Sequence, residues 1–304
     1  MEILLGSITS GLLIGTIFAL VALGLTIIFG MMDIVNFAHG EFLMLGMYTT
    51  LFASEAFKID PLLTLPLSAL VGMILGIVCY KGFVRFLLRG PMVAQLLGTF
   101  GLMLLLRNIA LFAFGSEDRT ISSGILVDRV LDFGMGMVFP ATKLAAGVFS
   151  IVAFSAVWLL MNRTRTGKAM LATALNAQGA RYMGIPTERM NTLAWAIGGA
   201  TATLAGSLLV NFWSVTPFVG LLFVMIAFAT VALGGFGSVP GALVAGILIG
   251  MITEVPGLWD FFCSLTGSRW MAGVSMTPFK YTLVYLAYFI IMLVRPRGLF
   301  GWKR

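Results

Sequence analysis

The sequence predicts an all-α polytopic membrane protein, and its composition, hydropathy and apolar runs all support that prediction. Hydrophobic residues make up 60% of the 304 residues and charged residues only 10%. The mean hydropathy of +1.04 exceeds what a soluble core can bury. Apolar stretches close to the roughly 20 residues that a helix needs to cross a bilayer recur along the chain. We therefore expect one membrane domain over residues 1–304.

About nine apolar segments are candidates for transmembrane or half-membrane helices. They lie at about residues 5–30, 40–55, 62–82, 92–114, 141–161, 190–210, 218–234, 241–255 and 278–294. The first is too long for the core of a signal peptide and has no basic leader, so we expect it to be a retained span. Cys79 then falls within a span and Cys263 in an outer loop, so no disulfide between them is expected.

The distribution of charge predicts the orientation in the membrane. Lys and Arg are in large excess in the loops after the odd-numbered segments and in the C-terminal tail, whereas the opposite loops hold more acids than bases. Because basic loops stay in the cytoplasm, we expect the N-terminus outside, a periplasmic loop at 115–140 and a cytoplasmic loop at 162–190. The net charge of +7 therefore reflects orientation and not binding of nucleic acid. Residues 121–133 form either a small hairpin or a solvated loop.

The stretch "FGMMDIVNFAHGEFLMLG", residues 29–46, interrupts an apolar run with polar side chains. They are Asp33, Asn36, His39 and Glu41. A charged group in hydrocarbon costs roughly 2.5–3.5 kcal/mol on insertion scales, so these side chains must face protein, water or the membrane surface. Gly30 and Gly40 bracket the stretch, which predicts an unwound segment between half-helices near residues 30–40. The polar groups either line a translocation path or cap helix ends at a tight turn.

A second break is predicted near residues 234–241, in "LGGFGSVPGALVAGILIG" at residues 233–250. Its glycines and Pro240 end one helix and start another within a short turn. Gly241, Ala245 and Gly246 then form a small-residue face for close helix packing. Arg107, in the fourth segment, is a further buried charge, which either pairs with Glu41 or extends to the outer surface.

The inner loop at 162–190 is longer than a simple connection requires. Its apolar spacing predicts one short amphipathic helix through Leu171 and Tyr182, capped by Gly184 and stopped by Pro186. This compact projection docks either on anionic lipid or in the groove of a partner protein. The stretch "RTRTGK" lacks the first glycine and the final Ser or Thr of a phosphate-binding loop. We also find no catalytic triad, metal cluster or dinucleotide loop, so an enzyme is not indicated.

Four motifs resemble the LivH-type permease subunits of bacterial ABC importers for branched-chain amino acids. They are "GLTIIFGMMDIVNFAHGEFLMLGMY" (24–48), "AQGARYMGIPTERMNTLAWAIGGATATLAGSLL" (177–209), "ALGGFGSVPGALVAGILIG" (232–250) and "VRPRGLFG" (294–301). The resemblance covers nearly the whole chain. It implies a permease in the bacterial inner membrane that imports branched-chain or other small neutral amino acids by alternating access. Urea or short amides, a passive facilitator without ATPases, and an inactive scaffold subunit are the alternatives.

The resemblance also implies partners and site residues. The partners are a second permease, expected to be a paralogue, two cytoplasmic ATPases that bind ATP and Mg, and a periplasmic binding protein, while this chain binds no cofactor and no metal. The expected translocation path comprises Asn36, Phe37, His39, Gly40, Glu41, Gly235, Phe236 and Gly237. The expected ATPase-coupling residues are Ala174, Ala177, Ala180, Met183, Gly184, Ile185 and Pro186.

Overall fold

The computed structural model describes residues 2–121, 124, 126, 129–132, 138–266, 276–296 and 298–301. Its α-helices are α1 (Glu2–Met32), α2 (His39–Phe57), α3 (Leu65–Cys79), α4 (Arg85–Leu87), α5 (Met92–Phe114), α6 (Ala141–Arg163), α7 (Arg165–Leu175), α8 (Ala177–Tyr182), α9 (Thr187–Leu209), α10 (Val219–Gly234), α11 (Val239–Thr266) and α12 (Lys280–Val294). A 3-10 turn (Pro61–Thr64) and a π-turn (Tyr80–Val84) extend α3 at its two ends. The predicted all-α membrane architecture is confirmed.

Seven helical segments within the described residues are long and apolar enough to cross a membrane. Helix α10 is apolar but shorter, and α2 carries the polar groups of the first break, so the prediction of about nine segments agrees with the structure. The eighth segment, predicted to end near residue 255, continues to Thr266, because α11 accommodates Pro256 within the helix although proline removes a helical hydrogen bond. The placement of Cys263 in an outer loop was therefore wrong, because this residue is buried in α11.

The long loop between α5 and α6 contains a small hairpin. Strand β1 (Val130–Asp132) pairs antiparallel with strand β2 (Val138–Pro140). This confirms the hairpin alternative, although β2 lies beyond the stretch 121–133 on which the prediction rested, and part of that stretch lies outside the described residues. A backbone bridge between Arg119 and Val215 joins the loop to the segment that precedes α10. This bridge holds the loop against the helix bundle.

Helix α9 lies at the centre of the bundle and packs closely against α1, α2 and α3. Small residues permit this approach: Gly199 faces the backbone of Gly72 on α3, and Gly206 faces the backbone of α2. Polar side chains join the same helices, since the Ser68 hydroxyl donates to the Thr203 carbonyl oxygen at 3.1 Å. Such bonds compensate for polar groups in an apolar surrounding. Around this centre, α1 and α11 form a closely packed antiparallel pair.

The predicted small-residue face at the start of α11 is confirmed. Gly241 packs against Gly234, Ala245 is fully buried, and Gly246 packs against Ala19 of α1. Lipid tails are as apolar as the helix surfaces, so the hydrophobic effect does not drive helices together within a membrane. Close van der Waals contact of this kind is therefore a main source of helix association.

Gly199 provides a direct test of the close contact between α9 and α3. Because an added methyl group would collide with the Gly72 backbone, we expect Gly199→Ala to destabilise the protein by about 1–3 kcal/mol. Gly101→Ala is the matched control, since a Cβ there meets nothing within 4 Å and alanine favours helix. Thermal unfolding in detergent measures both variants. Equal unfolding temperatures for the two would contradict the packing described here.

Candidate translocation path

At the first break, the chain turns back into the helix bundle before α2 begins. Asp33 has a left-handed backbone with φ of 52°, and residues 33–38 are not helical. His39, the first residue of α2, donates from Nε2 to the carbonyl oxygen of Val21 at 2.8 Å; Nε2 carries the hydrogen because a carbonyl only accepts. Val21 lies about 16 Å before the end of α1 at 1.5 Å per residue. Helix α2 therefore starts deep in the membrane-embedded bundle, which confirms the predicted break.

The two glycines bracket the unwound segment, as the sequence predicted. Gly30 lies within α1 and Gly40 in the first turn of α2. Each also permits a close approach to another segment, with Gly30 meeting Gly237 and Gly40 meeting Gly220. These approaches were not predicted, because the packing partners are distant in sequence.

The N-termini of α2 and α10 meet at one point. A Cβ added to Gly220, in the first turn of α10, would lie 2.7 Å from the Gly40 carbonyl oxygen and 3.1 Å from Cδ of Glu41. Glu41 is in the first turn of α2. Because helix N-termini carry partial positive charge, two of them adjoin the Glu41 carboxyl group. This contact fixes where the two helices begin.

Glu41 also forms an ion pair with Arg107 of α5. Its Oε1 accepts from Arg107 Nη2 at 2.6 Å and from Nε at 3.2 Å, and the Arg107 and Glu41 side chains are 13% and 1% exposed. Of the two alternatives for Arg107, the structure shows pairing. A second link joins α5 to the break, because the Thr99 hydroxyl donates to the Val35 carbonyl oxygen at 2.9 Å. Helix α5 thus contacts Val35, within the break, and Glu41, just after it.

Three buried polar atoms at the break and in the first turn of α2 have no hydrogen-bond partner among the described residues. They are Asn36 Nδ2, His39 Nδ1 and Glu41 Oε2. Asn36 does stabilise the local turn, because its Oδ1 accepts from the Ala38 amide at 3.1 Å. Its Nδ2 group, however, donates to none of the described residues. Buried polar groups are nearly always hydrogen-bonded to protein or water. The cluster can therefore offer a donor and acceptors to a polar solute or to water.

The second break lies at the end of the bundle that also carries the C-terminal tail. Gly235 and Gly237 have φ of 95° and 79°, and the turn joins α10 to α11 as predicted. The C-terminal tail caps α10, since the Leu299 and Phe300 amides donate to the last carbonyl oxygens of that helix at 2.7 and 3.1 Å. These bonds satisfy carbonyl groups that a helix end leaves without partners. The VRPRGLFG motif thus contributes to closing the end of α10.

The structure places the two predicted parts of the path at different depths. Asn36, His39, Gly40 and Glu41 are buried in the middle of the bundle, with Phe37 half-buried beside them. Gly235 is buried, whereas Phe236 is exposed and its ring lies 4.4 Å from that of Phe29, near the end of α1. The two groups are therefore not in contact. Arg107 was missing from the predicted path, although the sequence placed it within an apolar helix.

The inner loop forms two helices and not the single predicted helix. Asn176 interrupts the pattern with an extended backbone, and its Oδ1 accepts from the Gly179 amide at 2.8 Å. This side chain caps α8 and thereby competes with continued helix. Gly184, with φ of 79°, ends α8 as predicted: its amide donates to the Arg181 carbonyl oxygen, and the Ile185 amide donates to that of Ala180, both at 3.0 Å. This is a Schellman arrangement.

Several apolar side chains of this loop are exposed. Leu175, Tyr182 and Met183 are 63%, 79% and 82% exposed; we call these three side chains the inner apolar patch. The predicted coupling residues surround it in different environments: Ala177, Gly184 and Pro186 are exposed, Ala174 and Ile185 are half-buried, and Ala180 is buried. The predicted coupling residues did not include Leu175 and Tyr182, although the helical spacing of the loop had included both.

A polytopic bundle with two broken helices and a buried ion pair is an arrangement typical of membrane transport proteins. Residues 7–293 match the family described as branched-chain amino acid transport system / permease component, and the chain belongs to that family. It is a permease subunit of an ABC importer and not an enzyme, as predicted. The family implies ATPase and substrate-binding protein partners, with ATP bound by the ATPases, and a multi-pass location in the inner membrane.

Three relatives illustrate the similarity. The high-affinity branched-chain amino acid transport system permease protein LivH of Escherichia coli (strain K12) is 27% identical over 96% of this chain and 94% of its own length. BraD of Pseudomonas aeruginosa, named for the same system, is 27% identical over 98% and 95%. A probable LivH of Methanocaldococcus jannaschii is 27% identical over 94% and 89%. No solved structure matches the chain significantly. These relatives support the importer and not the alternatives of a passive facilitator or a urea importer.

Proposed function

We propose that this permease moves branched-chain or other small neutral amino acids from the periplasm to the cytoplasm by alternating access. The observation that carries the proposal is the meeting of two helix N-termini at the Glu41–Arg107 ion pair within an apolar bundle. Discontinuous helices with such ends form solute sites in many transporters. A mostly apolar path suits an aliphatic side chain, and the binding protein performs the selection.

The proposed path runs past Asn36, Phe37, His39, Gly40 and Glu41 in the middle of the bundle. It continues to the turn of Gly235, Phe236 and Gly237 at the inner end. All of the first group except Phe37 are buried in the single chain, so transport requires that α5 or a neighbouring segment move relative to α2. Rigid movement of broken helices about a central site is a common form of alternating access.

The proposed assembly contains a second permease, which we take to be a paralogue, two ATPases and a periplasmic binding protein. The N-terminus lies outside and the C-terminus in the cytoplasm, in agreement with the excess of Lys and Arg in the inner loops. The loop at 115–140, which contains the hairpin, then faces the periplasm and helps to dock the binding protein. ATP and Mg belong to the partner ATPases.

The coupling segment at 162–190 docks on an ATPase in this proposal. Its predicted residues, Ala174, Ala177, Ala180, Met183, Gly184, Ile185 and Pro186, form or support one surface. The inner apolar patch supports docking, because contiguous exposed apolar side chains on a water-facing surface commonly mark a protein interface. Only Arg181 of α8 is charged, which also favours a protein groove over an anionic lipid surface.

Substitution of Met183 tests the coupling surface. Met183→Asp places a charge in the middle of the inner apolar patch without removing a buried contact, so the ATPases should be lost on co-purification. We expect at least a tenfold loss, since a central interface residue can contribute 2 kcal/mol or more. Gly82→Asp is the matched control: it introduces the same residue at another exposed position, where a Cβ meets nothing within 4 Å.

The same preparations are then placed in liposomes with the binding protein, and substrate-stimulated ATP hydrolysis is measured. The importer proposal predicts stimulation in the wild type and in Gly82→Asp, with none in Met183→Asp. Retention of the ATPases by Met183→Asp would overturn the proposed docking surface. Solute uptake by the chain alone, without ATPases, would overturn the ATP-driven mechanism.

A further inference from the structure

A cavity of about 770 Å³ opens at the inner end of the bundle, at a distance from the central ion pair. Its volume lies within the range of roughly 300–1,000 Å³ that is typical of small-molecule sites. The walls come from the ends of α1 and α6, from α7, from the turn between α10 and α11, and from the C-terminal tail. Most of the lining is apolar and includes Phe29, Trp158, Met161, Leu171, Phe236 and Phe300.

Four polar side chains interrupt the apolar lining. One of them, Thr26, already donates to the Ala22 carbonyl oxygen at 2.8 Å, and the other three remain available to a ligand. Asp33 is exposed and forms no ion pair within the part of the chain that the structure describes. The Asn162 amide nitrogen donates to the Trp158 carbonyl oxygen at 2.9 Å, which leaves its amide oxygen free to accept. Ser238 is only 7% exposed, and its Oγ accepts from the Gly241 amide at 3.2 Å, so its hydroxyl hydrogen can still be donated.

These groups give the cavity two poles of opposite charge. Asp33 supplies a negative charge, and the Asn162 oxygen is a further acceptor. Ser238 stands directly before α11, whose first residues also line the cavity; the N-terminus of a helix of this length favours an anion. An α-amino acid has an ammonium group for the first pole and a carboxylate for the second, and an aliphatic side chain matches the apolar walls.

We propose that this cavity binds a free neutral α-amino acid with an apolar side chain from the cytoplasmic side. The ligand class and the side of access rest on the proposed function. The cavity shares Phe236 and Gly237 with the inner end of the proposed path, but neither Glu41 nor Arg107 of the central ion pair lines it. Because α7 forms one wall and also carries Leu175 of the inner apolar patch, a bound amino acid connects the coupling segment to α1 and α11. Occupancy therefore holds α7 in place and slows the ATP-driven cycle.

The test is equilibrium binding of radiolabelled leucine to the purified permease–ATPase complex in nanodiscs, without the binding protein. Asp33→Asn removes the charge and keeps the fold, because asparagine tolerates a left-handed backbone. We expect at least tenfold weaker binding in Asp33→Asn. Glu55→Gln, which neutralises an exposed acid at the end of α2, should bind leucine as the wild type does.

Competitors distinguish the two poles. Leucinamide lacks the carboxylate and 4-methylpentanoate lacks the ammonium group, so each should compete at least tenfold more weakly than unlabelled leucine. Stimulated ATP hydrolysis by liposomes loaded internally with leucine should fall in the wild type and remain unchanged in Asp33→Asn.

Three outcomes would overturn the inference. They are absence of leucine binding by the wild type, binding that Asp33→Asn leaves unchanged, and loss of binding when phosphatidylethanolamine is added to the nanodiscs, which would assign the cavity to a lipid headgroup. Uptake driven by the loaded binding protein is measured on the same complexes. Active uptake without leucine binding overturns only the cavity site, whereas no uptake of any neutral amino acid overturns the proposed function.

Discussion

Replacement of Arg107 by alanine should destabilise the protein by about 3–5 kcal/mol, because it leaves a buried carboxylate without its partner. Glu41 is 1% exposed and accepts both of its ion-pair hydrogen bonds through Oε1. The double variant Glu41→Gln with Arg107→Gln removes both charges, so it should recover most of the lost stability. Thermal unfolding in detergent and the yield of monodisperse protein measure the effect.

The second ion pair of the described chain provides the control. Arg85 and Glu188 lie 3.2 Å apart, but their side chains are 39% and 66% exposed. Solvent screening reduces such pairs to about 0–1 kcal/mol, so Arg85→Ala should unfold nearly as the wild type does. An Arg107→Ala variant as stable as Arg85→Ala, or a double variant no more stable than Arg107→Ala, would contradict a buried pair.

The double variant also separates the two interpretations of the break. If Glu41 and Arg107 only hold α2 against α5, a folded neutral variant should retain uptake. If they line the path, uptake should be lost while the ATPases remain bound. We expect the loss, because Glu41 Oε2 and His39 Nδ1 are buried and have no partner among the described residues, an arrangement that helix capping does not require.

Local sequence patterns predicted most of the fold. The apolar segments, the turn at Gly235 and Gly237, and the end of α8 at Gly184 all depend on neighbouring residues. The interruption at Asn176 was also a local event, but a side-chain cap competed there with an uninterrupted apolar pattern. The eighth segment was likewise predicted to end near residue 255, whereas the apolar sequence continues and α11 extends past Pro256. Competing local signals therefore explain these two errors.

The candidate site was harder to predict because it depends on contacts between distant residues. The sequence left Arg107 with two alternatives, since nothing local indicates that Glu41 faces it across the bundle. Gly30 and Gly40 were correctly interpreted as bracketing an unwound segment, but nothing local indicated their close contacts with Gly237 and Gly220. The role of the closing motif was likewise hidden, because its amides bond to the carbonyl oxygens of Leu233 and Gly234 on another helix.

The meeting of α2 and α10 leads to the other large expected effect. Gly220→Val should destabilise the protein at or above the upper end of the roughly 1–3 kcal/mol range for overpacking, because a Cβ there would lie 2.7 Å from the Gly40 carbonyl oxygen. Backbone atoms, unlike a flexible side chain, cannot rotate away. The two helix starts must then separate, and the Glu41 carboxyl group moves with them. We therefore also expect uptake to fall more than tenfold in any protein that folds.

Gly257→Val is the matched control for this substitution. It introduces the same side chain into a membrane helix, but a Cβ at Gly257 meets only the Ser7 hydroxyl oxygen, at 3.8 Å. Thermal unfolding and uptake in proteoliposomes, with the ATPases and the binding protein present, compare the two variants. A Gly220→Val protein that is as stable and as active as Gly257→Val would show that the contact between α2 and α10 is dispensable. Low activity in a stably folded Gly220→Val protein would instead connect this contact directly to transport, since the helix starts carry Glu41 to its position beside Arg107.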